Sequence, residues 1–123
     1  MVSGTYLEKK GEAMLNDQGW LVHRTKNSKP IERGGHWIST SDNDILGAFD
    51  LLAIHPEHMT RLIQSTVYSH MSERKKKVDD RIPFSPCNTY LEVWAWEKKG
   101  RRWTHREFRR REPGDWKELG LEG

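Results

Sequence analysis

The chain has 123 residues, the length of one domain, and its 21 lysines and arginines against 18 aspartates and glutamates leave a formal net charge of only +3. The single cysteine excludes an internal disulfide and a cysteine-based zinc site, and it favours a reducing compartment. No segment has the composition of a signal peptide or of a membrane span. We therefore expect a soluble, cytoplasmic protein forming one domain over residues 1–123, with a core at about residues 4–108 and a charged tail at residues 109–123.

The first predicted elements are a helix over residues 6–18 and a strand over residues 20–25. The helix carries a partial apolar stripe and is followed by Gly19, where a glycine commonly ends a helix, and the strand is rich in residues of high β propensity. Residues 26–43 are rich in glycine, serine and asparagine, so we expect a long loop there. This loop either contacts nucleic acid through its basic residues and Trp37, or is a mobile surface loop that Trp37 anchors to the core.

Two strands joined by a turn are predicted at the centre of the chain, over residues 45–54 and 60–66. The first is nearly all apolar apart from Asp50. The second carries Gln64 and Thr66 at alternate positions, so these two side chains project from the same face of the strand. A carboxylate within a buried strand is unfavourable unless a partner compensates its charge. A metal ion is one such partner, and a backbone hydrogen bond is another.

The remaining elements complete an α/β pattern. They are a short basic helix (residues 69–78), a connector (79–89), the two strands of a hairpin (90–97 and 101–108) and the tail (109–123). Trp94, Trp96 and Trp103 on the hairpin either stack on bases or form the core and a dimer face, and the usual burial of aromatic residues favours the second interpretation. The order of helix, three strands, helix and two strands predicts an α/β fold with a mixed central sheet flanked by helices.

Glu8, Asp50 and Gln64 offer the side chains that phosphodiester hydrolysis requires. The reaction needs a nucleophilic water and stabilisation of charge at the phosphate, and a Mg²⁺ ion held by one or two carboxylates supplies both. Asp50 would be the primary ligand, Gln64 would offer a neutral oxygen from the neighbouring strand, and Glu8 would approach from the packed helix. Spacing alone does not separate this site from an aspartate that is hydrogen-bonded to the backbone.

Four short motifs, in their order and spacing, resemble those of the PD-(D/E)xK nuclease superfamily, and within it the Holliday junction resolvases of archaeal and phage type. The motifs are GTYLE at residues 4–8, GWLVHR at residues 19–24 followed by Ser28, DLLA at residues 50–53 and IQST at residues 63–66. The resemblance implies a restriction-endonuclease-like αβββαβ core. It also implies a homodimeric endonuclease that depends on Mg²⁺, with Mn²⁺ as an alternative, and that cuts four-way junctions or other branched DNA in a bacterial, archaeal or phage-infected cell.

Roles for individual residues follow from the resemblance. It implies that Glu8 completes the metal site, that Asp50 is the essential metal-binding aspartate, and that Gln64 occupies the position of a second acidic ligand. Arg24 and Ser28 match positions that contact the scissile or neighbouring phosphates. The residues expected to hold the DNA backbone are Arg24, Lys26, Ser28, Lys29, Arg74, Lys75, Lys76 and Lys77.

Two positions depart from the E-x-K pattern of the superfamily, because Gln64 replaces the acidic residue and Thr66 replaces the lysine. A glutamine keeps an oxygen for the metal but removes one negative charge, which weakens affinity for a hard cation. A threonine cannot act as the cation that orients the attacking water and stabilises the transition state. An active enzyme would need a lysine from elsewhere, and the candidates are Lys26, Lys29, Lys75, Lys76 and Lys77.

Three other functions stay open on the sequence. The first is a catalytically degenerate DNA-binding module of the same fold, and the second is a restriction or repair nuclease that acts on duplex DNA. The third is a structural subunit of a larger complex. The six histidines lack the spacing of a zinc site, and the motifs of serine hydrolases, of nucleotide phosphate-binding loops and of dinucleotide-binding folds are missing from the sequence.

Overall fold

A helix and a strand begin the fold at the predicted places. The computed structural model describes residues 4–25, 31–33, 36–38 and 44–119. Helix α1 spans Gly4–Asp17 and strand β1 spans Leu21–Arg24. Gly19 lies between them at φ +89°, a left-handed conformation that residues with a side chain rarely adopt. Its predicted place at the end of the helix is confirmed.

The predicted loop at residues 26–43 contains a small hairpin. Strands β2 (Ile31–Arg33) and β3 (His36–Ile38) pair antiparallel and form a two-stranded sheet separate from the main one. The expectation of a loop without strands is therefore wrong at these positions. Strands of three residues are too short to give a visible alternation of apolar and polar side chains, which is why the sequence pattern did not indicate them.

The central pair of strands is β4 (Leu51–His55) and β5 (His58–Val67), which pair antiparallel. The prediction of the second strand is confirmed, with three further residues at its ends. In the register of the pair, Leu51 lies opposite Ile63. The start of β4 therefore lies beside the second half of β5.

The first central strand begins later than predicted. Residues 44–50 form turns with an isolated bridge between Ile45 and Phe49, and Leu46 and Gly47 take positive φ values of 55° and 70°. A strand cannot continue through two left-handed residues. The predicted strand over residues 45–54 is thus wrong in its first part, and Asp50 stands immediately before β4.

A crossover on one face of the sheet leads from β5 to β6. It consists of a 3₁₀ turn at Tyr68–His70 and helix α2 (Met71–Arg81), and strand β6 (Thr89–Lys99) then lies parallel to β5. Parallel neighbours require a connection of this length, because the chain must return to the end at which the first strand started. The basic helix is confirmed, although it begins and ends slightly later than predicted.

Strands β7 (Arg102–Glu112) and β8 (Asp115–Glu118) complete a six-stranded sheet of order β1-β4-β5-β6-β7-β8. One parallel pair among antiparallel pairs makes the sheet mixed, as predicted. The expected tail is wrong in its first part, because residues 109–112 extend β7 and residues 115–118 form β8. The turn between these strands contains Gly114 at φ +84°.

The two helices cover opposite faces of the sheet, which neighbouring residues of β5 show directly. Ile63 belongs to a buried cluster with Leu7 and Leu15 of α1, whereas Leu62 belongs to a second cluster with Val78 of α2. Successive residues of a strand point to opposite faces. The predicted α/β arrangement of a central sheet flanked by helices is confirmed, and neither of the described helices is long and apolar enough to cross a membrane.

The tryptophans of the β6–β7 hairpin belong to the core. Trp94 and Trp96 are each 1% exposed within the cluster under α1, and Trp103 packs partly buried against the same cluster. Side chains so deeply buried cannot stack on bases without unfolding the sheet. The interpretation that Trp94 and Trp96 form part of the core is therefore confirmed, and the alternative that these two stack on bases is wrong.

Candidate functional site

Asp50 is fixed at the point where the start of β4 lies beside β5. Its backbone N–H donates to the Ile63 carbonyl at 3.0 Å, and its carbonyl accepts from the Thr25 N–H at 2.9 Å. Its side chain is buried and accepts hydrogen bonds from the Ser65 N–H at 3.0 Å and from Gln64 Nε2 at 3.1 Å. These bonds hold the carboxyl group in one orientation. The Ser65 N–H was not identified from the sequence, since every residue except proline offers a backbone donor.

Glu8 reaches Asp50 from α1. Leu7 and Leu15 bury one side of this helix against the sheet, and Glu8, which follows Leu7, is itself only 7% exposed. The carboxyl groups of Glu8 and Asp50 lie close enough together for each to shift the pKa of the other. Two carboxyl groups this close repel each other when both are ionised. The structure therefore brings two of the predicted metal ligands into contact from distant parts of the chain.

The surroundings raise the pKa of both carboxyl groups. Burial is the main cause for Asp50, whose pKa lies well above its usual range; the charge of Glu8 adds to it, and the hydrogen bond from the Ser65 N–H opposes it. Burial also raises the pKa of Glu8, against the effects of its hydrogen bond with Asp50 and of the Arg24 charge. Asp44 contributes a further negative charge that raises both pKa values. The pair thus binds a proton tightly, and a cation would satisfy the same charge.

Gln64 adds an unpartnered oxygen beside this pair. It is 4% exposed, and its Nε2 donates to Asp50 and to the Ser65 carbonyl, so Oε1 is buried without a hydrogen-bond partner among the described residues. Such an acceptor costs about 1–3 kcal/mol when nothing donates to it.

The donor types at this site fit a hard divalent cation. Mg²⁺ and Mn²⁺ prefer carboxylate and amide oxygens. Within the described ranges, no three side chains from histidine, cysteine, aspartate and glutamate are arranged to hold a metal. The two carboxyl groups of Glu8 and Asp50 would therefore need the amide oxygen of Gln64 as a third ligand. Rotation of that amide exchanges the positions of its oxygen and nitrogen and would present Oε1 to the same side as Asp50.

Among the candidate lysines that the structure describes, Lys77 is the one that lies at the rim of this site. Its Nζ lies 3.5 Å from Asp44 Oδ2, and Asp44 is close enough to Glu8 and Asp50 to raise their pKa values. Thr66, at the position of the lysine in the E-x-K pattern, is a buried neutral residue of β5. A cation is therefore available near the carboxyl groups, but it comes from α2 and not from β5.

Arg24 is the member of the predicted phosphate-binding set that belongs to the site. It is half-buried in β1, its Nε lies 3.7 Å from Glu12 Oε1, and its charge lowers the pKa of Glu8. Both contacts tie Arg24 to α1. Three other predicted phosphate-binding residues lie outside the described residues: Lys26, Ser28 and Lys29.

The basic row of α2 is less available to DNA than its sequence suggests. The Lys75 ammonium lies 3.9 Å from the centre of the Phe108 ring, and burial lowers the pKa of Lys75. Arg74 and Lys77 are half-buried, so Lys76 is the one member of the row that is exposed. Two of these four cations therefore contact protein groups: Lys75 lies over the Phe108 ring and Lys77 lies beside Asp44.

Comparison with protein-family models, with curated proteins and with solved structures gives no match for this chain. The function is therefore inferred from the arrangement of the elements and from the chemistry of the site.

Proposed function

We propose that this protein is a metal-dependent endonuclease that hydrolyses phosphodiester bonds in branched DNA, with Mg²⁺ or Mn²⁺ held by Glu8, Asp50 and Gln64. One observation carries the proposal: the buried carboxyl groups of Glu8 and Asp50 stand beside the amide of Gln64, whose oxygen has no hydrogen-bond partner among the described residues. Neither feature stabilises the fold, because burial opposes the charge of the carboxyls and the oxygen loses its hydrogen bond to water. Local costs of this kind are typical of functional sites.

The order of the elements supports the same class of enzyme. Helix α1 precedes the antiparallel strands β1, β4 and β5, and α2 then leads to β6, which is parallel to β5. Apart from the inserted β2–β3 hairpin, this is the αβββαβ succession that the resemblance to the PD-(D/E)xK superfamily implies. It supports a restriction-endonuclease-like core in which Asp50 stands immediately before β4, Gln64 lies on the neighbouring strand β5 and Glu8 lies on the first helix.

The residues of the site prepare the reaction in two ways. The Ser65 N–H and Gln64 orient the Asp50 carboxyl group. Because the pKa values of Glu8 and Asp50 are raised, a bound proton must leave before both carboxyl groups can act as ligands. Burial of the three side chains keeps bulk water away and strengthens their electrostatic interactions. When bound, the cation supplies an activated water and neutralises charge that develops on the phosphate.

Lys77 is the residue to which we assign the role of the absent E-x-K lysine. We expect Lys77→Gln to lower the single-turnover cleavage rate constant about a hundredfold, the usual effect of removing one group that stabilises transition-state charge. The matched control is Lys76→Gln, which removes the same charge from the neighbouring, exposed position. Saturating enzyme separates the chemical step from DNA binding. Equal losses in the two variants would contradict the assignment and attribute both effects to weaker attraction of DNA.

A homodimer suits a four-way junction, because the junction has two-fold symmetry and its resolution needs two cuts. In the described sheet, β1 is an edge strand, and Leu21 and Ile54, which are paired there in register, are 69% and 45% exposed. Apolar side chains beside an open strand edge are typical of a surface that a second copy covers. A homodimer predicts paired cuts at symmetric positions in opposing arms.

The experiment that tests the function is cleavage of a labelled four-way junction and of the matching linear duplex, each with Mg²⁺, with Mn²⁺ and with a chelator. We expect paired cuts in opposing arms of the junction, dependent on the metal, and little cutting of the duplex, because recognition rests on DNA shape and phosphate contacts. Cutting of the linear duplex alone would move the protein to the restriction or repair class.

The absence of a lysine at Thr66 favours a second candidate, a DNA-binding module of the same fold that has lost catalysis. This module would bind the junction tightly and would leave it intact with either metal. That result would contradict the enzyme proposal.

A further inference from the structure

The hairpin formed by β6 and β7 extends well beyond the end of β5. Val67, the last residue of β5, pairs with Trp96, and β6 continues for three more residues to Lys99, which pairs with Arg102 of β7. At about 3.3 Å per residue, the hairpin projects roughly 10 Å past β5. Gly100 makes the turn at φ +64°. We define residues 98–102 as the hairpin tip.

The hairpin tip lies at the same end of the sheet as the carboxyl pair. Ser65, whose N–H binds Asp50, pairs with Trp94, and β5 and β6 run in the same direction. Lys99 is five positions further along β6 than Trp94, which corresponds to about 17 Å. A single DNA segment passing over the site can therefore reach the tip, since phosphates along one strand follow each other every 3.4 Å or so of helix axis.

The tip carries four cations that no described residue neutralises. Lys98, Lys99, Arg101 and Arg102 are all exposed, and none has an ion-pair partner within the described ranges. Further along β7 the arginines are engaged differently: Arg106 pairs with Glu118, Arg109 with Glu92 and Arg110 with Asp79. Unpaired, hydrated cations concentrated at a projecting turn are suited to a polyanion, because they bind it without first breaking internal ion pairs.

We propose that the hairpin tip is a phosphate-binding arm that holds the DNA backbone to one side of the cleaved bond. The inference rests on the proposed function for the identity of the polyanion. It assigns to residues 98–102 a phosphate contact that the sequence pattern predicts for the basic residues 74–77 of α2. The arm reads no base sequence, since lysine and arginine on an exposed turn contact phosphates wherever they occur. Its contribution is affinity and the direction in which the DNA leaves the site.

The test is the salt dependence of DNA binding, measured by fluorescence anisotropy in a chelator so that no cleavage occurs. Arg101→Gln/Arg102→Gln and Lys98→Gln/Lys99→Gln each remove two charges from the tip. Each lost phosphate contact reduces the slope of log affinity against log salt by about 0.9, so we expect each variant to lower the slope by about 1.8. The control, Lys117→Gln, removes an exposed cation of β8 that, like those of the tip, has no ion-pair partner among the described residues, and it should leave the slope unchanged.

Equal slopes for the tip variants and the control would overturn the inference, as would a protein that does not bind DNA at low salt. All of these positions are exposed, so thermal unfolding of the variants should match that of the wild type and show that folding is not the cause. The two proposals fail separately. If the slope depends on the tip but the protein cleaves no DNA with Mg²⁺ or Mn²⁺, the phosphate-binding arm is supported and the enzyme proposal is contradicted. If the protein cleaves DNA but the slope does not depend on the tip, the enzyme proposal is supported and the arm is contradicted.

Discussion

Replacing Asp50 with asparagine is expected to reduce metal-dependent cleavage at least about a thousandfold, which corresponds to about 4 kcal/mol of lost transition-state stabilisation. Asparagine keeps the size of the side chain and an oxygen for the Ser65 N–H, so the strands should pair as before. What it removes is the negative charge that a divalent cation requires of its main ligand. The variant should still bind DNA, because Asp50 contributes no positive charge to the interface.

The same substitution should stabilise the protein in the absence of metal. Burial and the charge of Glu8 raise the pKa of Asp50, so between the unfolded pKa of about 4 and the higher folded pKa the native state holds more protons than the unfolded state. Stability therefore falls as pH rises through that window. Asp50→Asn avoids this loss, and we expect its free energy of unfolding to exceed that of the wild type at about pH 8. The difference should disappear below about pH 4.

Urea unfolding at both pH values, with a chelator and then with Mn²⁺, measures these effects. Mn²⁺ should stabilise the wild type, by about 2.7 kcal/mol at a concentration one hundred times the dissociation constant, and should leave Asp50→Asn unchanged. Asp80→Asn, an exposed aspartate of α2, serves as the control and should behave as the wild type in every condition. A variant that is less stable than the wild type at high pH would mean that the Asp50 charge supports the fold, which contradicts the proposed site.

The elements with regular patterns were predictable, and the segment before Asp50 shows why others were not. Residues 45–49 are mostly apolar and resemble a strand, but they form a turn in which Ala48 and Phe49 are fully buried. Their burial comes from packing against Val78 and Ile82, which follow much later in the chain. Sequence periodicity reports that a segment is buried, and it does not report whether a strand or a turn buries it.

The residue types of the candidate site were predictable, and their contacts were not. The order and spacing of the motifs singled out Glu8, Asp50 and Gln64, but the closeness of the two carboxyl groups depends on how α1 packs on the sheet. The approach of Lys77 depends in the same way on α2. Contacts between distant elements are set by tertiary packing, so a local pattern could only propose several lysines without choosing among them.

A buried ionic network on the α1 face of the sheet was missed altogether. Glu92 is 0% exposed and accepts hydrogen bonds from Arg61 at 2.6 and 2.9 Å, from Arg109 at 2.9 Å and from Trp94 Nε1 at 3.0 Å. Arg61 also pairs with Glu107 at 2.9 Å. Burial alone would lower the pKa of Arg61, but its hydrogen bonds and charge interactions with Glu92 and Glu107 outweigh burial and raise it. The one signal in the sequence was that Glu92 lies two positions before Trp94, so that both side chains point to the same face of β6.

Because this network is buried, Glu92→Gln is expected to be among the most destabilising single substitutions in the chain. Glutamine fills nearly the same volume as glutamate, so the change in the free energy of unfolding measures the loss of negative charge opposite Arg61 and Arg109. Removing one partner of a buried ion pair costs about 3–5 kcal/mol of stability. That is a large part of the roughly 5–15 kcal/mol by which a domain is stable. Urea unfolding at neutral pH measures it, with Asp115→Asn as the control, since its exposed pair with Arg111 contributes less than about 1 kcal/mol. If both substitutions cost the same small amount, the network is held by solvent-screened charges and does not anchor β5, β6 and β7 to one another.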